Sequence, residues 1–474
     1  MLDNCVCPLD HGETPMRDQF MHAVAYASTL LTRREVFAYR DEALANWTLP
    51  GGIEAVKTAL IAKLRVALDY ARSSNAYYAE VFASVGFDPL AITGLEGLGA
   101  IPIIAKDDIR RNRSSFQMCE ARAQYRVKSD TGGSTGQPLA FSMSWDDYLR
   151  SVGVGLAGWH LAGYVLGDRV GVFGGASVAK LDAVPWHTSC SDFALNRRHF
   201  SAVVMDDNRI AQYWDFIERW RPSYLRGYPT AIAELCRHRP EARSQQYRPH
   251  AVLTTAEMLT QSDRHVIEET LGAPVFDAWG LNDGGAAAYE CTEHVGMHVD
   301  TTRAYVETVN DAGWPVWGTP GRIVVTSLTN KAFPFMRYDT GDMGVLTWRD
   351  CKCGRTGLML TQILGRCDER LNIGGVRTEA CAGSWLTDID HVRRWRIVQD
   401  GPVHITVTFD VDPGFHKRVS EEAVIRSFTS RCPGVGISFV YAPLPLPTNG
   451  SKWRSVVVLD SARHQNHGVP EEHP

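Results

Sequence analysis

Between positions 53 and 87 apolar residues return at three- and four-residue steps: Val56, Leu60, Leu64, Val66, Leu68 and Tyr70, with Lys and Arg between them. That period is one buried helix face, so scaffold helix is expected. Ile101-Pro-Ile-Ile-Ala-Lys-Asp-Asp-Ile-Arg reads as an extended segment entering a short helix, because proline disfavours helix before it and the acidic pair suits a helix start. From 150 to 280 the pattern alternates. Arg169-Val-Gly-Val-Phe-Gly-Gly, Ser223-Tyr-Leu-Arg-Gly-Tyr, Ala251-Val-Leu-Thr-Thr-Ala-Glu and Pro274-Val-Phe-Asp-Ala-Trp-Gly read as strands, and stretches near 209–221, 230–238 and 262–271 as helices. Such alternation predicts a mostly parallel α/β sheet, whose ligands sit beyond the carboxyl ends of the strands. Three of these strands run into Gly-Tyr-Pro, Thr-Ala-Glu and Trp-Gly-Leu-Asn-Asp-Gly-Gly, the candidate pocket wall.

After Cys291 the pattern changes to short strands and turns, which predicts a small antiparallel, barrel-like unit. From Gly365 a module of ordinary domain size follows, with strands near 404–409 and 436–441, a helix near 420–431 and a Pro/Gly-rich loop carrying Lys452. The expected class is α/β: a large N-terminal domain of mostly parallel sheets plus the barrel-like unit, then a small α+β C-terminal domain. The expected divisions are an N-terminal extension at 1–50, the large domain at 51–366, the small one at 367–460, and a polar, disordered tail at 461–474.

Composition narrows the function. The 474 residues carry a net charge of -5, which leaves no nucleic-acid footprint. No apolar run approaches the roughly 18 to 20 residues of a membrane span, and the first residues lack a basic start followed by an apolar block, so no secretory signal is expected. Eleven scattered cysteines are an odd number and fit reduced thiols in the cytoplasm.

Candidate chemistry begins with Ser129-Asp-Thr-Gly-Gly-Ser-Thr-Gly-Gln-Pro. Glycines open backbone angles closed to other residues, and hydroxyls beside bare amides make an anion cradle, so phosphate is the natural occupant. No Gly-Lys-Ser/Thr follows, which argues against a Walker-type loop. A flexible surface loop is the other reading of such a cluster.

Four further segments weigh against that second reading. Thr131-Gly-Gly-Ser-Thr-Gly-Gln-Pro, Thr254-Thr-Ala-Glu, Trp279-Gly-Leu-Asn-Asp, Tyr338-Asp-Thr-Gly-Asp, and Gly365-Arg-Cys-Asp-Glu with the downstream Gly-Ser-Lys452 follow one order. In that order the chain resembles the adenylate-forming acyl-CoA and acyl ligases, more narrowly the phenylacetate-CoA ligase-like branch with its capsule-biosynthesis relatives, from about 74 to 460.

The resemblance implies roles. Thr131, Gly132, Gly133, Ser134, Thr135 and Gly136 would wrap the ATP phosphates, with Gln137 where the superfamily commonly has lysine. Ala256 and Glu257 would line the adenine end, and Trp279 and Gly280 would border it. Asn282 and Asp283 stand for the family's Thr-Glu pair at the α-phosphate and Mg2+; both depart from it, though an amide can donate and a carboxylate can bind Mg2+. Asp342 would hold the ribose hydroxyls, Arg366 would contact the nucleotide, and Asp368 would be the hinge that makes the small domain a mobile lid. Lys452 would bridge acid and α-phosphate during adenylation; otherwise it is an exposed lysine. Tyr228, Gly284 and Gly285 would border the acyl pocket.

Cys291, His298, Cys351 and Cys353 form a candidate Cys3His set suited to a structural Zn2+, with His294 the competing ligand and unliganded thiols the alternative. The function implied is ATP-dependent activation of a small, aromatic or related, carboxylic acid to an acyl-adenylate, then transfer to coenzyme A. An amine or carrier-protein acceptor, or an inactive scaffold homologue, are the alternatives. The partners implied are a small acid and an acyl acceptor, without nucleic acid or membrane, and a homodimer is allowed.

Overall fold

The computed structural model describes residues 16–116, 126–130, 139–174, 184–187, 189–203, 205–240, 247–378, 381–386, 389, 391–444 and 455–459. The Gly-rich residues 131–136, Gln137 and Lys452 lie outside them, as does the tail after 459.

One twelve-stranded sheet organises the large unit. From one edge its order is Pro315–Val316, Ala304–Val309, Gly321–Ser327, Tyr338–Asp350, Thr356–Arg366, Met297–Val299, Ala287–Glu290, Val275–Gly280, Ala251–Thr255, Tyr224–Gly227, Val170–Gly174, Arg197–Ser201. The last five are parallel neighbours, and the rest pair antiparallel. The short antiparallel strands expected after Cys291 are therefore present, and their ladder continues into the parallel strands.

Helices cover both faces of the parallel half. Ile210, Trp214, Ile217, Ile232, Ile267 and Leu271 pack against Leu225, Val252 and Val275 on one side. Val36, Leu149 and Leu156 pack against Val172, Tyr224, Leu253 and Phe276 on the other. Burial on both faces explains why these strands are nearly continuous apolar runs. The chain passes from Val170–Gly174 outward to Arg197–Ser201, then back to Tyr224–Gly227 on the other side of Val170–Gly174. Such a reversal opens a crevice at the carboxyl ends of the strands.

The helical stretch 53–87 is two helices, Gly52–Ser74 and Ala76–Ser84. Asn75 divides them: its side chain accepts the Tyr78 N–H at 3.2 Å and caps the second. Leu60, Leu64 and Leu68 face the core, whereas Val66 is 69% exposed, so it is not part of the buried stripe. The residues ahead of position 51 include helices Met16–Arg33 and Glu35–Trp47. Trp47 is buried and donates its indole N–H to the Val299 carbonyl at 3.0 Å, and Asn46 donates to Thr301 at 2.8 Å.

The C-terminal unit has a core of its own, built from Ile397, Ile405, Val407, Phe409, Val424 and Phe428. Its four-stranded sheet runs Gly436–Tyr441, His404–Val411, Val392–Gly401, Val456–Val458, with the helix Lys417–Arg431. It meets the large unit through ion pairs, Arg394 to Glu234 at 3.3 Å and Arg237 to Asp412 at 3.4 Å.

Candidate active site

The Gly-rich segment connects two strands that pair antiparallel, Arg126–Asp130 and Ala140–Ser144. The other expected tips follow the parallel strands. Ala256, just past Ala251–Thr255, has φ of 71°, a left-handed backbone rare outside glycine. This sharp turn precedes Glu257, whose carboxylate accepts the Thr230 hydroxyl at 2.5 Å.

Asp342 and Arg366 are brought together by register, being directly opposite on neighbouring strands. The Arg366 guanidinium donates to Asp342 Oδ1 at 2.7 Å and to the Thr340 carbonyl at 3.1 Å. Asp342 Oδ2 accepts the Trp279 indole N–H at 3.1 Å, so one carboxylate ties three of the expected nucleotide residues together. Arg366 also lies 3.7 Å from Asp368, in the 3-10 turn that leads into the small unit.

Asp283 is buried beside this group. The Tyr338 hydroxyl donates to Oδ2 at 2.7 Å, and the Lys106 ammonium stands 3.7 Å from the same oxygen. Burial raises the carboxyl pKa, while Lys106 and Tyr338 oppose the rise. Burial lowers the pKa of Lys106, and Asp283 and Asp342 counter it. Sequence reasoning placed Lys106 only at a helix start; it is the first residue of helix Lys106–Arg111. Asp108 fastens that helix by accepting the Ala105 N–H at 2.9 Å.

Gly284 and Gly285 have φ of 92° and 80°. A Cβ on Gly284 would come within 2.3 Å of Val325, and one on Gly285 within 3.1 Å of Arg303. The tight turn and close core packing thus account for both glycines. Tyr228 is buried at the end of its strand, and Asn282 is exposed.

The cysteine set assembles next to the sheet. Cys291, His298, Cys351 and Cys353 hold their ligand atoms within 4.8 Å of one another, with Cys291 and Cys351 sulfurs 3.8 Å apart and Cys353 Sγ 3.3 Å from His298 Nε2. Ligands about 2.3 Å from a tetrahedral centre would be separated by roughly 3.8 Å. His294 turns elsewhere, its Nδ1 3.2 Å from Glu290. Every described cysteine is a free thiol.

No protein-family model matches the chain. Its fold is that of an adenylate-forming CoA ligase: it matches 2-hydroxyisobutyryl-CoA ligase in the postadenylation state with a TM-score of 0.71, at 20% identity over 88% of this chain and 92% of that one. The same enzyme in the thioesterification state gives 0.58, at 20% identity over 87% and 91%.

In sequence, 338 residues are 29% identical to a phenylacetate-coenzyme A ligase of Thermus thermophilus, spanning 66% of this chain and 71% of the relative. Over 352 residues it is 26% identical to a phenylacetate-coenzyme A ligase of Pseudomonas putida, spanning 71% and 76%. Protein CapK of Staphylococcus aureus is 24% identical over 283 residues, 58% of this chain and 59% of its own length. In sequence the chain is thus similar to phenylacetate-CoA ligases and Protein CapK, and in fold to an adenylate-forming CoA ligase.

Proposed function

We propose that the protein activates a small carboxylic acid with MgATP and passes the acyl group to coenzyme A. The observation that carries this reading is the convergence of Asp342, Arg366 and Trp279 with Asp283, Tyr338 and Lys106 around the tips of the sheet. Attack of a carboxylate on the α-phosphate needs alignment and charge neutralisation more than covalent help. Asp342 would accept the ribose hydroxyls, and Trp279 would offer its face to adenine. Lys106 and Arg366 would meet the phosphate charge. A lone buried carboxylate such as Asp283 fits Mg2+ held chiefly by phosphate oxygens. Lys452 would join during adenylation and withdraw as the small domain turns about Asp368; these roles rest on the resemblance.

The departures Asn282 and Asp283 do not favour an inactive homologue, because Asp283 keeps a cation and a phenol beside it. Acid-dependent ATP–pyrophosphate exchange across a broad acid panel, followed by mass spectrometry for acyl-CoA, is the test. Exchange followed by thioester is expected. Exchange followed only by amide or acyl-carrier product would move the acceptor, and no exchange with any acid would count against adenylation.

We also propose that the Cys3His cluster binds a structural Zn2+. Three thiols and an imidazole suit the metal, and a full protein ligand set leaves no position for catalysis. Elemental analysis of the purified protein should give about one zinc per chain. Cys351→Ser should lose it and melt roughly 5 °C lower. A metal-free wild type of unchanged stability would dismiss the site.

A further inference from the structure

Among the described residues, the Arg226 guanidinium has no counter-charge. Arg226 lies on the strand Tyr224–Gly227, so by strand alternation it shares a face with Tyr224. Its ladder partners are Val172 and Leu253, and Leu253 pairs with Phe276, so its stem crosses apolar ground. The guanidinium carbon stands 4.8 Å from the Trp159 ring centre, on the helix Trp145–His160 that covers this face. Arg197, Tyr289 and Tyr164 are the titratable groups acting on it, a second cation and two phenols with no carboxylate among them. Burial, and then Arg197, pull its pKa down to about 10, which leaves it charged at neutral pH. Among the described residues it has neither hydrogen bond nor ion pair. The residue is half-buried, so water can still reach the charge, and a cation stripped of that water is costly unless a counter-charge replaces it.

Tyr289 is the second observation. It pairs with Ala278, the residue before Trp279. Its ring occupies the space over Gly158, where a Cβ would come within 2.3 Å. Above Gly155 the Tyr289 hydroxyl is, among the described residues, the one group near, at 4.0 Å from where a Cβ would stand. That hydroxyl has no hydrogen-bond partner among the described residues. Arg226 stands two residues, roughly 7 Å at strand rise, below Tyr228. Both residues are thus rooted on the sheet below the strand ends where the acid would be activated.

We propose that Arg226 and Tyr289 form the distal end of the acyl pocket and select acids that carry a second anionic group, a carboxylate being the simplest, remote from the one activated. This rests on the ligase reading above. The guanidinium would pair with that anion through charge-assisted hydrogen bonds, the phenol would donate to it, and the Trp159 face would hold the guanidinium. A hydrocarbon end would displace water from the cation without pairing it.

Matched acids test it: benzoate against terephthalate, and phenylacetate against 4-carboxyphenylacetate, in pyrophosphate exchange with the full chain. The wild type should favour the diacid by at least about 10-fold in kcat/KM. Arg226→Met should erase that preference while keeping exchange with the monoacid, and Tyr289→Phe should reduce it. A wild type without the preference, or an Arg226→Met protein that loses both acids equally, overturns the proposal. If no acid supports exchange, thermal shift without ATP separates the two ideas. A diacid that stabilises the wild type but not Arg226→Met upholds the recess while the ligase reading falls; equal or absent shifts overturn the recess.

Discussion

Replacing Lys106 with methionine should lower acid-dependent pyrophosphate exchange by roughly 100- to 1000-fold, the scale on which a site loses a preorganised charge that meets developing negative charge. The side chain is 22% exposed and 3.7 Å from Asp283. It sits where two carboxylates, Asp283 and Asp342, sustain its charge against burial. The loss should fall mainly in kcat, since the ammonium would matter most as phosphate charge builds. Lys106→Arg keeps the charge but changes its shape and should recover part of the activity. A merely structural lysine would show neither the kcat-weighted loss nor the partial recovery. Because the ammonium pKa is lowered, exchange should also fail on the alkaline side earlier than an ordinary lysine would dictate. Steady-state kinetics of both variants, beside circular dichroism to check the fold, decide the matter.

Glu307→Ala should destabilise the chain by about 3 to 5 kcal/mol, because it strands a buried guanidinium. Glu307 and Arg337 are each 1% exposed. Arg337 donates to both carboxylate oxygens, at 2.7 and 3.2 Å, and to the carbonyls of Ile101 at 2.6 Å and Gly313 at 2.9 Å. This strut joins the segment before Lys106 to the strand pair behind it. Arg337 has φ of 46° and is followed by Tyr338, the residue that donates to Asp283. The damage should therefore reach activity as well as stability. Urea unfolding of Glu307→Ala, Arg337→Met and the double variant gives the measurement: the double change should cost less than the two single changes summed. Equal additivity would mean that the pair is not coupled.

Much of this architecture is legible in the chain because apolar strands buried on both faces announce themselves. Val170–Gly174 and Ala251–Thr255 are examples. Arg197–Ser201 is not, since it is an edge strand reading Arg-Arg-His-Phe-Ser, with little apolar surface to mark it. Asp342 and Arg366 were legible as parts of motifs, whereas their opposition across a ladder is a matter of register, which two bulges in that strand pair alter. Lys106 was invisible for a different reason. Its local pattern is that of any helix start, and its meaning comes from Asp283, far along the chain. The same holds for Arg226, whose lack of a carboxylate emerges only once its neighbours are assembled.

Trp47 carries a consequence for synthesis. Its indole bonds to a carbonyl 252 residues downstream. At roughly 5 to 20 residues per second, a ribosome needs on the order of 10 to 50 s to make that partner. A helix made long before its partner therefore completes its docking late. Throughout that interval the nascent chain holds a large aromatic ring without its final berth.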